Sequence, residues 1–163
     1  MARDYRGGLA NLFATRTSVL SVGTVLFVCV ENTFRSVLSE ALFNAIAPAG
    51  WHAESAGVQA ATEINPAVPQ LLREIGIDLG PKKPRTVTSQ MIAVATRVVT
   101  FGCLDRCPIG AREKSEDWPI PGATGKTMDE LRAIRDELGR RVAELSKRLP
   151  VSVVSATRSQ AKD

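Results

Sequence analysis

One short segment carries the residue types needed to bind and attack an oxyanion. Cys29 is followed by a loop of five residues, then Arg35 and Ser36. A guanidinium can donate two parallel hydrogen bonds to a tetrahedral oxyanion, and loop N–H groups ahead of a helix add further donors. The same positive field favours the thiolate form of Cys29, which is the nucleophilic form of the side chain. The spacing therefore predicts a thiolate nucleophile held beneath a bound oxyanion.

Two further cysteines lie much later in the chain. Cys103 and Cys107 are separated by three residues. Such a pair could be two unconnected structural thiols or half of a zinc site. A zinc site would need more soft ligands, and the chain contains one histidine, His52, on a predicted strand. We therefore predict no metal site.

The elements that position these thiols alternate between strands and helices. Apolar runs rich in β-branched residues predict strands at Gly23–Cys29, Trp51–Gly57 and Arg97–Phe101, with a short fourth strand near Asp117–Ile120. Apolar residues at helical spacing predict helices at Ser36–Ala47, within Ala60–Gly76, from Thr88 or Ser89 to Ala95, and from Thr127 up to Pro150. This order predicts an α/β fold of three layers, in which a four-stranded parallel sheet is covered by helices on both faces. Cys29 and Cys103 each follow a strand, so both are expected at the carboxyl edge of the sheet.

Two of the helices have clear terminal signals. Asn65 is a good N-cap ahead of Pro66, Gly76 suits a helix C-terminus, and Thr127 with Glu130 forms a capping box. The predicted buried stripe of the first of these helices is Val68, Leu71, Leu72 and Ile75. That of the last helix is Met128, Leu131, Ile134, Leu138, Val142, Leu145 and Leu149.

The length and composition are typical of one globular domain. The chain has 163 residues, of which 44% are hydrophobic and 23% are charged. We predict a leader at residues 1–22, the folded domain at 23–150 and a polar tail at 151–163. Three cysteines do not form an even, spaced set, which argues against a disulfide-stapled secreted domain.

Charge and hydropathy exclude other classes of function. The net charge of +4 favours anionic ligands only weakly. The only tight basic run, Pro81–Arg85, contains no aromatic residue, so we interpret it as a solvated loop and predict no nucleic-acid binding. The apolar run Val19–Val30 is too short to span a bilayer and ends in Glu31 without a cleavage site for a signal peptidase. The predicted location is cytoplasmic, without membrane contact.

Taken together, these residues resemble the low-molecular-weight phosphotyrosine phosphatase superfamily and, within it, the thioredoxin-coupled arsenate reductases. The resemblance runs from about Thr24 to Leu149. The sequence CVENTFRS at Cys29–Ser36 fits the superfamily loop of Cys, two residues, Asn, two residues, Arg and Ser. Ala53–Gly57 resembles the family's second strand, and Asn65–Leu79 resembles its second helix. Phe101–Gly110 resembles the redox segment of the reductases, and Glu116–Leu138 resembles the loop with the final helix.

The resemblance implies a role for each residue of the loop. Cys29 would be the nucleophile, Arg35 would clamp the oxyanion, Asn32 would hold the loop in its unusual conformation, and the Ser36 hydroxyl would hydrogen-bond the thiolate. The predicted oxyanion-binding residues are Val30, Glu31, Asn32, Thr33, Phe34 and Arg35. The fold implied is that of the same phosphatases.

The resemblance also implies a reaction. Cys103 would attack the Cys29–arsenic adduct and release arsenite, and Cys107 would then resolve the resulting disulfide. No resident cofactor is implied, but an external thiol reductant is, either thioredoxin, which we expect, or a small thiol. The substrate is predicted to be arsenate, with phosphate as the related oxyanion.

The chain departs from the superfamily at one position. The family has Asp-Pro in the loop before the final helix, where the Asp protonates the leaving group, and this chain has Gly122 and Ala123 instead. Glu116 and Asp117 are near in sequence but do not occupy the matching position. Arsenate reduction is therefore the predicted function, because water leaving from protonated arsenate needs a placed acid less than a phenolate does. The alternatives are a phosphatase with a cysteinyl-phosphate intermediate and a catalytically weak oxyanion-binding protein.

Overall fold

The computed structural model describes residues 23–102 and 112–151. The predicted leader, the segment with Cys103 and Cys107, and residues 152–163 of the predicted tail lie outside the described residues. The strands are β1 (Gly23–Cys29), β2 (Trp51–Gly57), β3 (Arg97–Thr100) and β4 (Ser115–Asp117). The α-helices are α1 (Arg35–Ile46), α2 (Ala67–Arg73), α3 (Ser89–Val94) and α4 (Met128–Arg148), and a 3-10 turn spans Arg112–Lys114.

The described strands form one parallel sheet in the order β2-β1-β3-β4. Alternate residues of β1 enter two separate apolar clusters. Val25 and Phe27 pack with side chains of α1, α2 and α4, whereas Leu26 and Val28 pack with Ile92 of α3. Helices therefore cover both faces, which confirms the predicted three-layer α/β fold. The chain crosses to opposite sides of β1 to form β2 and β3, so the end of β1 lies at the switch point where such sheets bind ligands.

The final helix, α4, buries more apolar side chains than any other described helix. Its N-cap is the predicted capping box, because Thr127 Oγ1 accepts from the Glu130 N–H at 3.2 Å and Glu130 Oε2 accepts from the Thr127 N–H at 2.7 Å. Leu138 and Val142 are completely buried against the sheet side of the core. The opposite face of this helix is charged. Within residues 23–102 and 112–151 no helix is long and apolar enough to cross a membrane.

Two local predictions were wrong. Helix α2 ends at Arg73, so Ile75 falls beyond it and is 43% exposed instead of completing the buried stripe. Asn65 nevertheless accepts from the Ala67 N–H at 2.9 Å, as its predicted capping role requires, and Gly76 has the left-handed φ of 81° that ends the helix. The fourth strand is Ser115–Asp117 and not Asp117–Ile120.

The residues after β4 are buried as a loop instead of forming a strand. Trp118 and Ile120 are 4% and 5% exposed. The Trp118 ring lies 5.8 Å from the ring of Phe27 and 5.9 Å from that of Phe101, measured between centroids. These aromatic contacts anchor the chain directly above β1 and β3, and the loop that follows Ile120 is thereby directed over the end of β1.

Candidate active site

The loop after β1 presents its N–H groups to one point. Its carbonyl groups face the opposite way and are occupied by a neighbouring segment: those of Cys29, Val30, Glu31 and Thr33 accept from the N–H groups of Val58, Gln59, Ala61 and Asn65 at 2.7–3.0 Å. Because the C=O of a trans peptide points away from the N–H that follows it, those following N–H groups turn inward. The Asn32 N–H shows this directly, since it donates to Cys29 Sγ at 3.2 Å.

The thiol of Cys29 lies at the centre of this ring of donors. The residue is 3% exposed. Its Sγ lies 2.9 Å from the hydroxyl of Ser36, which is completely buried. Asn32 Nδ2 donates to the same hydroxyl oxygen at 2.8 Å, which leaves the Ser36 proton available for donation to the sulfur. The Cys29 sulfur therefore lies within hydrogen-bond distance of the Asn32 N–H and of the Ser36 hydroxyl.

Asn32 supports the loop from below. Its φ of 56° lies in the left-handed region, which asparagine tolerates better than most residues. Its side-chain oxygen accepts from the backbone N–H of Arg85 at 3.0 Å. Position 57 must be glycine, because a Cβ there would lie 2.8 Å from the backbone N of Asn32 and 2.8 Å from the backbone O of Val30. These contacts of Arg85 and Gly57 with the loop were not predicted from the sequence.

Arg35 is oriented by two backbone carbonyls. Its Nη1 donates to the carbonyl oxygens of Phe101 and Ile120, both at 3.0 Å, so both Nη1 protons are used. The edge formed by Nε and Nη2 retains the paired donors that match two oxygens of a tetrahedral anion. One carbonyl follows β3 and the other follows β4, so the arginine also connects the loop after Trp118 to the site.

The predicted oxyanion-binding residues surround one cavity. This cavity has a volume of about 310 Å³, and Cys29 lies in its wall together with Val30, Glu31, Thr33, Phe34 and Arg35. Asn32, the remaining predicted binding residue, is completely buried and acts from beneath the loop. The rest of the wall consists of residues that sequence reasoning did not include in the site, namely Asn65, Ala123 and Thr124, together with Gly122.

Gly122 occupies the place predicted for the missing acid. A Cβ built on it would lie 3.8 Å from Cζ, Nε and Nη2 of Arg35, which is ordinary contact distance. The carboxylates nearest in sequence are engaged elsewhere. Asp117 accepts from the Thr100 hydroxyl and the Gly102 N–H, both at 2.6 Å, and Glu116 pairs with Arg148 at 3.1 Å. The loop is in position over the site, but its residue 122 presents no carboxylate there.

The structure thus brings together Cys29, Asn32, Arg35 and Ser36, four of the predicted residues. The two other predicted catalytic residues, Cys103 and Cys107, lie outside the described residues. Their segment begins directly after Gly102, at the carboxyl end of β3, and Phe101 contacts Arg35 through its carbonyl. An α/β sheet that places a buried cysteine and an arginine in the loop after its first strand is the arrangement found in cysteine-dependent oxyanion enzymes.

Comparison with known proteins identifies the family. Residues 24–106 match the low molecular weight phosphotyrosine protein phosphatase family. The chain is 30% identical over 129 residues to arsenate reductase 1 of Staphylococcus haemolyticus, an alignment that covers 77% of this chain and 96% of that protein. This chain therefore belongs to the low-molecular-weight phosphotyrosine phosphatase family.

Two solved structures show the range of chemistry among its relatives. The thioredoxin-dependent arsenate reductase of Corynebacterium glutamicum superposes with a TM-score of 0.67 at 32% identity, covering 86% of this chain and 67% of that one. The arginine phosphatase of Geobacillus stearothermophilus also superposes with a TM-score of 0.67, at 29% identity, covering 77% of this chain and 91% of that one.

Proposed function

We propose that this protein is an arsenate reductase that uses the Cys29 thiolate as nucleophile and a disulfide relay through Cys103 and Cys107. The observation that carries the proposal is the combination of an intact oxyanion loop with Gly122 at the acid position beside Arg35. The arsenate reductases among its relatives support the same reaction.

The first step uses the residues of the loop. Arsenate is held by the inward N–H groups and by the Nε and Nη2 edge of Arg35. The Cys29 sulfur attacks arsenic, an As–O bond breaks, and the oxygen departs as water with a proton carried by the protonated oxyanion. Ser36 and Asn32 stabilise the thiolate before attack through the contacts at 2.9 Å and 3.2 Å.

The second step transfers two electrons to arsenic. The Cys103 thiolate attacks the sulfur of Cys29, the S–As bond breaks, and its electron pair reduces arsenic(V) to arsenite. Cys107 then attacks Cys103, which releases the Cys29 thiolate and leaves a Cys103–Cys107 disulfide. An external dithiol of the thioredoxin type reduces that disulfide and completes the cycle.

Glycine in place of a carboxylate at position 122 affects the two reactions differently. A phenolate leaving from an aryl phosphate has a conjugate acid pKa near 10 and depends on a positioned proton donor, whose loss typically costs about 10²–10⁴ in rate. The hydroxide of protonated arsenate can leave with a proton of the substrate itself. Gly122 therefore impairs dephosphorylation more than arsenate reduction.

The relay is tested by steady-state arsenite formation with thioredoxin, thioredoxin reductase and NADPH. We expect Cys103→Ser and Cys107→Ser each to lower multiple turnover by about 10³-fold or more, because the enzyme stops at an oxidised or adduct form after one cycle. Full multiple turnover in either variant would exclude the relay. Hydrolysis of p-nitrophenyl phosphate serves as the control reaction, since it needs neither cysteine.

Phosphate monoester hydrolysis is the second candidate function, and the family match and the arginine phosphatase relative favour it. It would proceed through a cysteinyl phosphate on Cys29 that water hydrolyses. It predicts turnover that survives in both relay variants and that does not require thioredoxin. Tight phosphate binding without turnover of either substrate would instead indicate a catalytically weak oxyanion-binding protein.

A further inference from the structure

A half-buried ion pair lies behind the oxyanion loop and is not used by the proposed reaction. Lys82 Nζ is 2.7 Å from Glu40 Oε2, and the two side chains are 19% and 15% exposed. Glu40 projects from α1, the helix that begins at Arg35, and Lys82 lies in the basic run that the sequence predicted to be a solvated loop. That prediction was wrong for Lys82, whose ammonium group is held by the Glu40 carboxylate of α1.

A series of hydrogen-bonded residues leads from this pair to the Cys29 thiol. The Glu40 carboxylate accepts from the Ser55 hydroxyl at 2.5 Å, and the Ser55 carbonyl accepts from Arg85 Nε at 2.9 Å. The backbone N–H of Arg85 donates to Asn32, which donates in turn to Ser36 beside the thiol. Lys82 and Arg85 are three residues apart in one loop, so the ion pair and the Arg85 guanidinium both hold this loop. The backbone at Arg85 is also paired with the end of β2, where the Gly57 N–H donates to the Arg85 carbonyl and the Val87 N–H donates to the Gly57 carbonyl, both at 2.8 Å.

We propose that Lys82, paired with Glu40, is a positioning residue that holds the Arg85 N–H against Asn32 and thereby keeps the Cys29 thiolate reactive. The ammonium attaches the loop to α1, on which Ser36 also lies. The left-handed backbone of Asn32 is stabilised by the hydrogen bonds of its side chain. Of these, the bond from the Arg85 N–H is the one supplied from outside the anion-binding loop.

This effect falls on the nucleophile more than on anion binding. Arg35 is oriented by the carbonyls of Phe101 and Ile120, which follow β3 and β4. These carbonyls have no part in the hydrogen bonds that link Lys82 to Asn32. We therefore expect loss of the ion pair to loosen the support of Asn32 and Ser36 while the Arg35 guanidinium stays in place. A displacement of about 1 Å in a positioned group can cost about 100-fold in rate, so a partial release is expected to cost about tenfold.

The test compares Lys82→Met with Lys83→Met, a matched change at the adjacent, exposed lysine. Two quantities are measured on the full chain: kcat and KM for arsenate with thioredoxin, and the rate of Cys29 alkylation by iodoacetamide at neutral pH, resolved by peptide mass spectrometry. In Lys82→Met we expect kcat and the alkylation rate to fall about tenfold, with KM within about twofold. Lys83→Met should match the wild type, and Lys82→Arg should keep most of the wild-type kcat and alkylation rate.

Equal Cys29 alkylation in Lys82→Met and Lys83→Met would overturn the inference, as would a Lys82→Arg variant as slow as Lys82→Met. If Lys82→Met does not fold, Glu40→Gln makes the same comparison, because it keeps an acceptor for Ser55 and removes only the charge. The kinetic readout rests on the proposed arsenate reduction. The alkylation readout does not, so a wild type that fails to reduce arsenate would refute the function and leave the positioning role separately measurable.

Discussion

Cys29→Ser is expected to lower arsenite formation by roughly 10⁵-fold or more, to the background rate. The hydroxyl is nearly the size of the thiol but is a far weaker nucleophile at neutral pH and cannot form the disulfide that the relay requires. Cys29 is also 3% exposed, and its sulfur accepts from the Asn32 N–H of the loop. Arsenite is measured in the thioredoxin-coupled assay with purified full-length protein.

The control for Cys29→Ser is anion binding. The inward N–H groups and the Arg35 edge remain in this variant, so phosphate should bind within a few-fold of the wild-type affinity by isothermal titration calorimetry. Arsenite formation above background in a Cys29→Ser protein that still binds phosphate would remove Cys29 from the reaction. Loss of both properties would indicate a collapsed loop, which a thermal unfolding curve detects.

Gly122→Asp is expected to raise hydrolysis of phenyl phosphate, whose phenolate leaving group needs a proton donor, by about 10²–10⁴-fold, the usual contribution of a positioned general acid. The backbone allows the change, because a Cβ at this position meets its nearest neighbour, the Arg35 guanidinium, at 3.8 Å. The new carboxyl group would project from the wall of the same cavity that contains Cys29. Initial rates are measured across mildly acidic pH, where a carboxylic acid can donate a proton.

Gly122→Asn is the matched control, since it has the same shape and no acidic proton. If only the Asp variant is faster, the scaffold is confirmed as competent for phosphate transfer and lacking only its acid. If Gly122→Asp and Gly122→Asn hydrolyse the ester equally slowly, then the loop does not deliver a group at position 122 to the leaving oxygen. Gly122 would in that case no longer favour reduction over hydrolysis.

Local patterns predicted the site well where one segment contains all the information. Strands β1 and β2 have the predicted bounds, because apolar runs and flanking loop residues define them. Cys29, Asn32, Arg35 and Ser36 were predicted from a single motif of eight residues, and the structure places them in mutual contact or around one cavity. The capping box of α4 is equally local.

The predictions failed at one helix end and where distant segments decide the outcome. Ile75 continues an apolar period but is exposed, because α2 ends at Arg73 and the chain turns away at Gly76. The contact of Arg85 with Asn32 joins residues 53 positions apart, and nothing in the composition of the basic run indicates it. The contact of Lys82 with Glu40 likewise joins residues 42 positions apart, so the sequence alone favoured a solvated loop.

In the proposed reaction, two electrons pass from the protein's own thiols to arsenic. The most direct measurement mixes fully reduced wild-type protein with excess arsenate in the absence of any external reductant, then counts arsenite and maps the disulfides. We expect about one arsenite per chain, a Cys103–Cys107 disulfide and a free Cys29 thiol. Arsenite no greater than that from Cys29→Ser, or arsenite formed while Cys103 and Cys107 remain reduced, would contradict the proposed relay.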